Sequence, residues 1–228
     1  MQALRNGGGM TIELHPRGDV RVAPVVARHA PHALAALVIT GKLLLVMMVA
    51  RIVLDPTWAH LDGKAPFARA VMYPLWISAV PVYWAVFRRG SAFPALADVL
   101  VTLTCVTDLV GNRLDLYNSV EWFDDAMHVL NAALVSAGLV ILTMTRWSTI
   151  PEIAHAAISI GLTASLVWEL FEYATFLTRS TEWATAYSDT IGDLTLGWLG
   201  SALAAVVLAT AWRRHRSAVP QDPSRRPS

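Results

Sequence analysis

Asp124 and His128 stand four residues apart at the opening of a long apolar stretch, and Asp125 precedes the same histidine by three. On a helix those spacings put carboxylate and imidazole on one face. Two later stretches repeat the device. Trp168-Glu-Leu-Phe-Glu-Tyr173 closes one apolar segment with Glu169 and Glu172, and Asp189-Thr-Ile-Gly-Asp193 opens the next. Such a set suggests two chemistries. Oxygen ligands with a single imidazole suit zinc, manganese or magnesium, the ion acting as a Lewis acid toward water. Without a metal, His128 would shuttle a proton while an acidic neighbour orients it.

His128, Asp124 and Glu172 are therefore the catalytic candidates. Asp124, His128, Glu169, Glu172, Asp189 and Asp193 are the candidate metal ligands, with Asp108, Asn112, Arg113 and Asp125 in support. So many acids cannot all stay ionised in one place unless a cation or an arginine neutralises them. Arg113 and Arg69 are the nearby arginines, and the same pressure favours the metal over metal-free acid–base work. A plainer account also exists for part of the set. Asp115, Glu121, Asp124 and Asp125 could sit in water at helix ends, where acids at an N-terminus complement the helix dipole.

The elements that must position these residues are apolar. The chain is 55% hydrophobic and only 15% charged, with a mean hydropathy of +0.46, which no ordinary soluble domain shows. Nine tryptophans, mostly near the ends of apolar runs, suit the interfacial belts of a multi-pass membrane protein. Six segments near the ~20 residues needed to cross a bilayer fall at 33–54, 67–87, 93–112, 124–145, 152–177 and 190–212. The expected fold is all-α, a polytopic bundle of six transmembrane helices over 31–212, between a flexible cytoplasmic tail (1–30) and a disordered basic cytoplasmic tail (213–228). Pro74 and Pro81 predict a kink in the second helix. Glycines and alanines of the sixth (Gly192, Gly197, Gly200, Ala202, Ala204, Ala205) predict close packing.

Arginine and lysine near the segment ends set the expected orientation. Arg17, Arg21, Arg28, Arg88, Arg89, Arg146, Arg213, Arg214 and Arg216 outweigh Lys64, Arg69, Arg113 and Arg179, so both termini are expected in the cytoplasm. Helices three and five then run outward and helices four and six inward. Asp108, Asn112 and Arg113 end helix three at the outer face, Asp124 and His128 begin helix four there, Glu169 and Glu172 end helix five, and Asp189 and Asp193 begin helix six. Four helix ends converge on one side, within roughly the outer third of the bilayer at ~1.5 Å per residue. Ionisable residues inside membrane helices are costly enough to make function the default reading.

Other chemistries find no support. His128 and His155 lie at opposite depths, so they cannot pair on a haem, and no metalloprotease, nucleophile-elbow or phosphate-loop motif is present. The single cysteine, Cys105, excludes an intrachain disulfide and a Cys-rich metal site, and reads as packing. Lys42, well inside helix one, either snorkels inward or pairs with Asp98. Nothing argues for nucleic acid.

Phe123-Asp-Asp-Ala-Met-His128, Glu169-Leu-Phe-Glu-Tyr173 and Asp189-Thr-Ile-Gly-Asp193 with Gly200-Ser201 together resemble the YjdF-like bacterial inner-membrane proteins and, more distantly, the VanZ-like proteins. The resemblance covers residues 108 to 205 in motif order and spacing. It implies a polytopic helical fold and the same six polar residues, and the VanZ-like side hints at envelope or lipid substrates. The expected function is a hydrolase or transferase, metal-dependent or acid–base, acting in the bacterial inner membrane on a lipid or lipid-linked cell-envelope substrate, with membrane lipids as its surroundings. The alternatives are a small cation- or proton-coupled transporter and a non-catalytic scaffold subunit.

Overall fold

A computed structural model describes residues 31–144, 148–179 and 181–218. The tail expected over 1–30, the end of the chain from 219 on and Arg146 lie outside the described residues. Among these residues every regular element is helical: α1 (Pro31–Leu54), α2 (Pro66–Phe87), α3 (Ala95–Arg113), α4 (Phe123–Thr143), α5 (Ile150–Thr175) and α6 (Ala186–Ala218). A short helix, Leu116–Ser119, lies between α3 and α4, and two 3-10 turns, Leu177–Arg179 and Thr181–Ala184, lie between α5 and α6. All six long helices are long and apolar enough to cross a membrane. Large apolar side chains stand exposed along α1, α2 and α6, among them Leu37, Ile39, Met47, Val71, Leu75, Val206 and Val207. So much exposed apolar surface suits a bundle whose solvent is hydrocarbon.

The helices form two groups of three. Leu45, Met48 and Ile52 of α1, Tyr73 and Ile77 of α2, and Cys105 and Leu109 of α3 share one core. Val140 of α4, Ile153 and Ala157 of α5, and Ala205 and Trp212 of α6 form another. The groups join chiefly through α3 and α4. The α4–α6 interface is the most extensive of all, and small residues allow it: a Cβ on Gly200 would strike the carbonyl of Val129. Gly192 behaves differently from its neighbours, for a Cβ there would meet open space.

Proline explains the otherwise costly lysine. Pro81 has no N–H to give the carbonyl of Ile77 one turn earlier, and Lys42 Nζ donates to that oxygen at 2.6 Å. The same ammonium lies 3.0 Å from Asp98, whose side chain is fully buried. One lysine of α1 thus ties the Pro81 turn of α2 to the start of α3, the Asp98 alternative of the two offered by the sequence.

Boundaries shift where local signals are strong. Thr149 accepts from Glu152 N–H while Glu152 accepts from Thr149 N–H, a capping box that starts α5 at Ile150 rather than 152. α6 begins at Ala186 and runs through Ala218, so the first six residues of the stretch read as a basic tail are helical. Nothing breaks the helix there, since the next proline is Pro220.

Candidate functional site

At one end of the bundle the ends of α3 and α5 and the starts of α2, α4 and α6 surround a cavity of about 350 Å³. Two polar clusters share it. The first is built around Arg69, three residues into α2 and 2% exposed. Its Nε donates to Asp108 of α3 at 3.3 Å, its Nη1 donates to the carbonyl of Lys64, and its Nη2 lies 3.7 Å from Glu172 of α5. The guanidinium also faces the rings of Trp168, Phe171 and Phe176 at 5.2, 5.9 and 5.8 Å, a desolvated cation–π setting. Asp108 accepts further from Tyr73, from Asn112 at 3.3 Å and from Tyr117 at 3.3 Å. This carboxylate is saturated with donors, and its charge is matched by Arg69.

Local chain geometry sets those contacts. Arg69 and Tyr73 are i and i+4 on α2, so one face of that helix presents both to Asp108. Gly111 leaves room for Tyr117 and Phe123, whose rings a Cβ there would strike. These rings pack edge-to-face at 4.9 Å, which holds the Tyr117 hydroxyl over Asp108. Burial, with Asp108 and Asp124 adding to it, pushes the Tyr117 phenol well above its ordinary range, so it acts as a hydrogen-bond donor. Asp115, which precedes the short helix in a left-handed conformation, accepts from Asn118 at 2.6 Å.

The second cluster joins α4 and α6. His128 Nε2 lies 3.7 Å from Asp124 and 3.5 Å from Asp193. One ligating atom from each of these three residues falls within 4.8 Å of the others. Those separations are long for hydrogen bonds. They fit an ion between the groups, because two ligands ~2.1 Å from a tetrahedral metal stand about 3.4 Å apart. Asp193 is 4% exposed, whereas the Asp124 side chain is 49% exposed and opens toward the cavity. Were an ion held there, three protein ligands would leave positions free for water or substrate, the pattern of catalytic rather than structural metal sites.

The remaining candidates separate. Asp108, Asn112, Asp124, His128, Glu172 and Asp189 line the cavity. Glu172 turns to Arg69, and Asp189 is exposed at the mouth. Glu169 is buried behind the wall, where one oxygen accepts from Thr190 at 2.8 Å and the other has no partner. The expected six ligands thus reduce to a compact set of three, since Glu169, Glu172 and Asp189 stand outside the cluster that one ion could bridge. Asp125 is exposed and does not line the cavity. Of the two arginines weighed as counter-charges, Arg69 is in the site. Arg113 is exposed, 5.1 Å over the ring of Trp58.

Sequence reasoning passed over Tyr73 and Tyr117, and counted Lys64 only toward orientation. The signal for Tyr73 was available, as a hydroxyl one helical turn after an arginine inside a span. No spacing rule connects Tyr117 with Asp108, because a loop carries one to the other. Comparison with curated proteins and with solved structures finds no match. Residues 33–215 match the family described as Predicted membrane protein (DUF2238), and the chain belongs to that family.

Proposed function

We propose that this integral membrane protein is a metal-dependent hydrolase or transferase acting on a lipid or lipid-linked cell-envelope substrate. The observation that carries the reading is the trio Asp124, His128 and Asp193, an imidazole between two carboxylates at ion-bridging separations beside a cavity. Charge supports it. Arg69 answers Asp108 and Glu172, which leaves Asp124, Asp189, Asp193 and Glu169 against Lys64 and a histidine. A divalent cation resolves that excess, and zinc, manganese and magnesium all accept such ligands. When bound, the ion would supply Lewis-acid activation of water. In this reading Asp124, His128 and Asp193 hold the ion, and Glu172 is placed by Arg69 to face the substrate from α5.

The likeness to YjdF-like proteins supports a bacterial inner membrane, the more distant VanZ-like likeness supports the envelope setting, and the arginine distribution supports cytoplasmic termini. The site then faces the extracytoplasmic leaflet. A second reading, cation- or proton-coupled transport, draws on the buried Asp98, Thr102, Asp108 and Asn112 along α3. Protein reconstituted in vesicles with bacterial envelope lipids tests both. Metal-stimulated release or transfer of a headgroup, seen by mass spectrometry and lost in His128→Ala, is the expected result. Metal-independent ion flux without lipid turnover would replace the first reading with the second.

A further inference from the structure

The cavity changes character along its length. Its loop end is formed by Lys64, Asn118, Tyr117 and Asp189, and Asp124 and His128 follow within the first turns of α4. Its far end is formed mainly by Trp76, Cys105, Val135 and Ala164, with Thr104, whose hydroxyl donates to its own helix, and Ser165 at the same depth. Trp76 is ten residues into α2, Val135 twelve into α4, and Ala164 eleven before the end of α5. At ~1.5 Å per residue that end lies about 15–18 Å from the helix ends, near the middle of a ~30 Å hydrocarbon layer. A polar mouth at the surface and an apolar floor at the midplane repeat the polarity of one lipid in the adjoining leaflet.

The mouth also holds a lysine whose charge bears on Asp124 only at longer range. Lys64 Nζ donates to Asn118 at 3.3 Å and lies 5.4 Å over the ring of Tyr117, yet among the described residues no carboxylate comes within ion-pair distance of it. Three residues are positive in φ just before α2: His60, Gly63 and Ala65. Such left-handed positions in non-glycine residues are paid for elsewhere in a fold. Here the buried Ala59 and Leu61 anchor the loop, and the Lys64 carbonyl accepts from Arg69, so the lysine is held at the mouth rather than left to solvent.

We infer that the cavity takes a phosphate-bearing amphiphile, its phosphate between Lys64 and the Asp124–His128–Asp193 cluster and one alkyl chain running down to Trp76, Val135 and Ala164. The inference deepens the proposed function by naming the substrate class, and rests on that reading for the metal side of the phosphate. A phosphate offers anionic oxygens both to a divalent ion and to an ammonium, which neither a sugar nor an ammonium head does. About 350 Å³ holds a headgroup and a short run of one chain, so the rest of a larger lipid would stay in the bilayer.

The test uses the full chain in detergent, with inorganic phosphate and straight-chain alkyl phosphates of increasing length as probes and an alkyl glucoside as the uncharged control. Binding is compared between wild type and Ala164→Leu or Val135→Phe, which fill the apolar end. Micelle partitioning is common to both proteins, so the affinity ratio isolates the cavity. The ratio should grow roughly three- to fourfold per methylene until the chain reaches the floor, then level off. Lys64→Gln should weaken every alkyl phosphate and leave the glucoside unchanged. A flat ratio in both filled variants, glucoside binding equal to that of the alkyl phosphate, or inorganic phosphate binding as tightly as the long-chain probe would each overturn the inference. Repeating the series on chelator-treated protein separates it from the metal reading. A chain-length ratio that survives in a protein that never takes up metal sustains the amphiphile site and removes the metal. Stoichiometric metal with a flat ratio does the reverse.

Discussion

Two clusters of ionisable side chains share one cavity and its wall, and they are built on opposite terms. Around Arg69 every charge is answered: Asp108 accepts from Arg69, Tyr73, Asn112 and Tyr117, and three aromatic rings enclose the guanidinium. Around His128 nothing closes up. Its two carboxylate neighbours stand 3.5 and 3.7 Å away, one buried and one half-exposed. A saturated cluster on three helices is a framework, since any further ligand would have to displace donors already in place. An unsaturated one beside it, with acids in excess, is where a ligand gains most. The Arg69 cluster fixes α2, α3 and α5 around a space, and in the proposed function the His128 cluster is what brings chemistry to it.

The contrast can be broken from the framework side first. Arg69→Met leaves Asp108 and Glu172 without their cation, and removing one partner of a buried pair costs about 3–5 kcal/mol. We expect this variant to lose most of its detergent-resistant folded fraction in a thermal aggregation assay. Stability near wild type would mean that the hub is not structural. Lys42→Met is expected to cost less, about 1–3 kcal/mol. It strands Asp98 and the Ile77 carbonyl that Pro81 leaves free, but a lone carboxylate can take up a proton. Adding Asp98→Asn to Lys42→Met should recover part of the loss, and an additive double variant would deny the pairing. His128→Ala belongs at the small end, within about 1 kcal/mol of wild type, because no close hydrogen bond holds the imidazole. A large loss of stability there would make His128 part of the framework and erase the distinction.

How much of this was legible in the sequence follows from the range of the forces involved. Six apolar runs are local signals, and the six helices fall within about six residues of the expected spans. The convergence of α3, α4, α5 and α6 at one end came from counting depth along spans and needed no side-chain contacts. Asp124 and His128 were legible as a pair because i and i+4 share a face. Their partner Asp193 was one of four further acids in the right depth band, and nothing in the spacing distinguished it from Glu169, Glu172 or Asp189. That choice is made by the rotation of each helix about its axis, which the packing of Gly200 against Val129 helps fix for α6. Tyr117 is a similar case, since a short helix after a left-handed Asp115 carries it over Asp108. The extension of α6 to Ala218 was missed because a charged, proline-poor end can continue a helix as readily as end one.

The central claim is that the His128 cluster holds a divalent ion and the Arg69 cluster does not. Metal content of the purified full chain tests it most directly, after exposure to zinc, manganese or magnesium and removal of the excess. One ion per chain is expected. It should be lost in His128→Ala and in Asp193→Asn, retained in Asp108→Asn wherever that variant folds, and released as the pH is lowered, since a ligating histidine must be unprotonated. No stoichiometric ion with any of the three metals, or an ion that stays in His128→Ala and leaves with Asp108→Asn, would contradict the account.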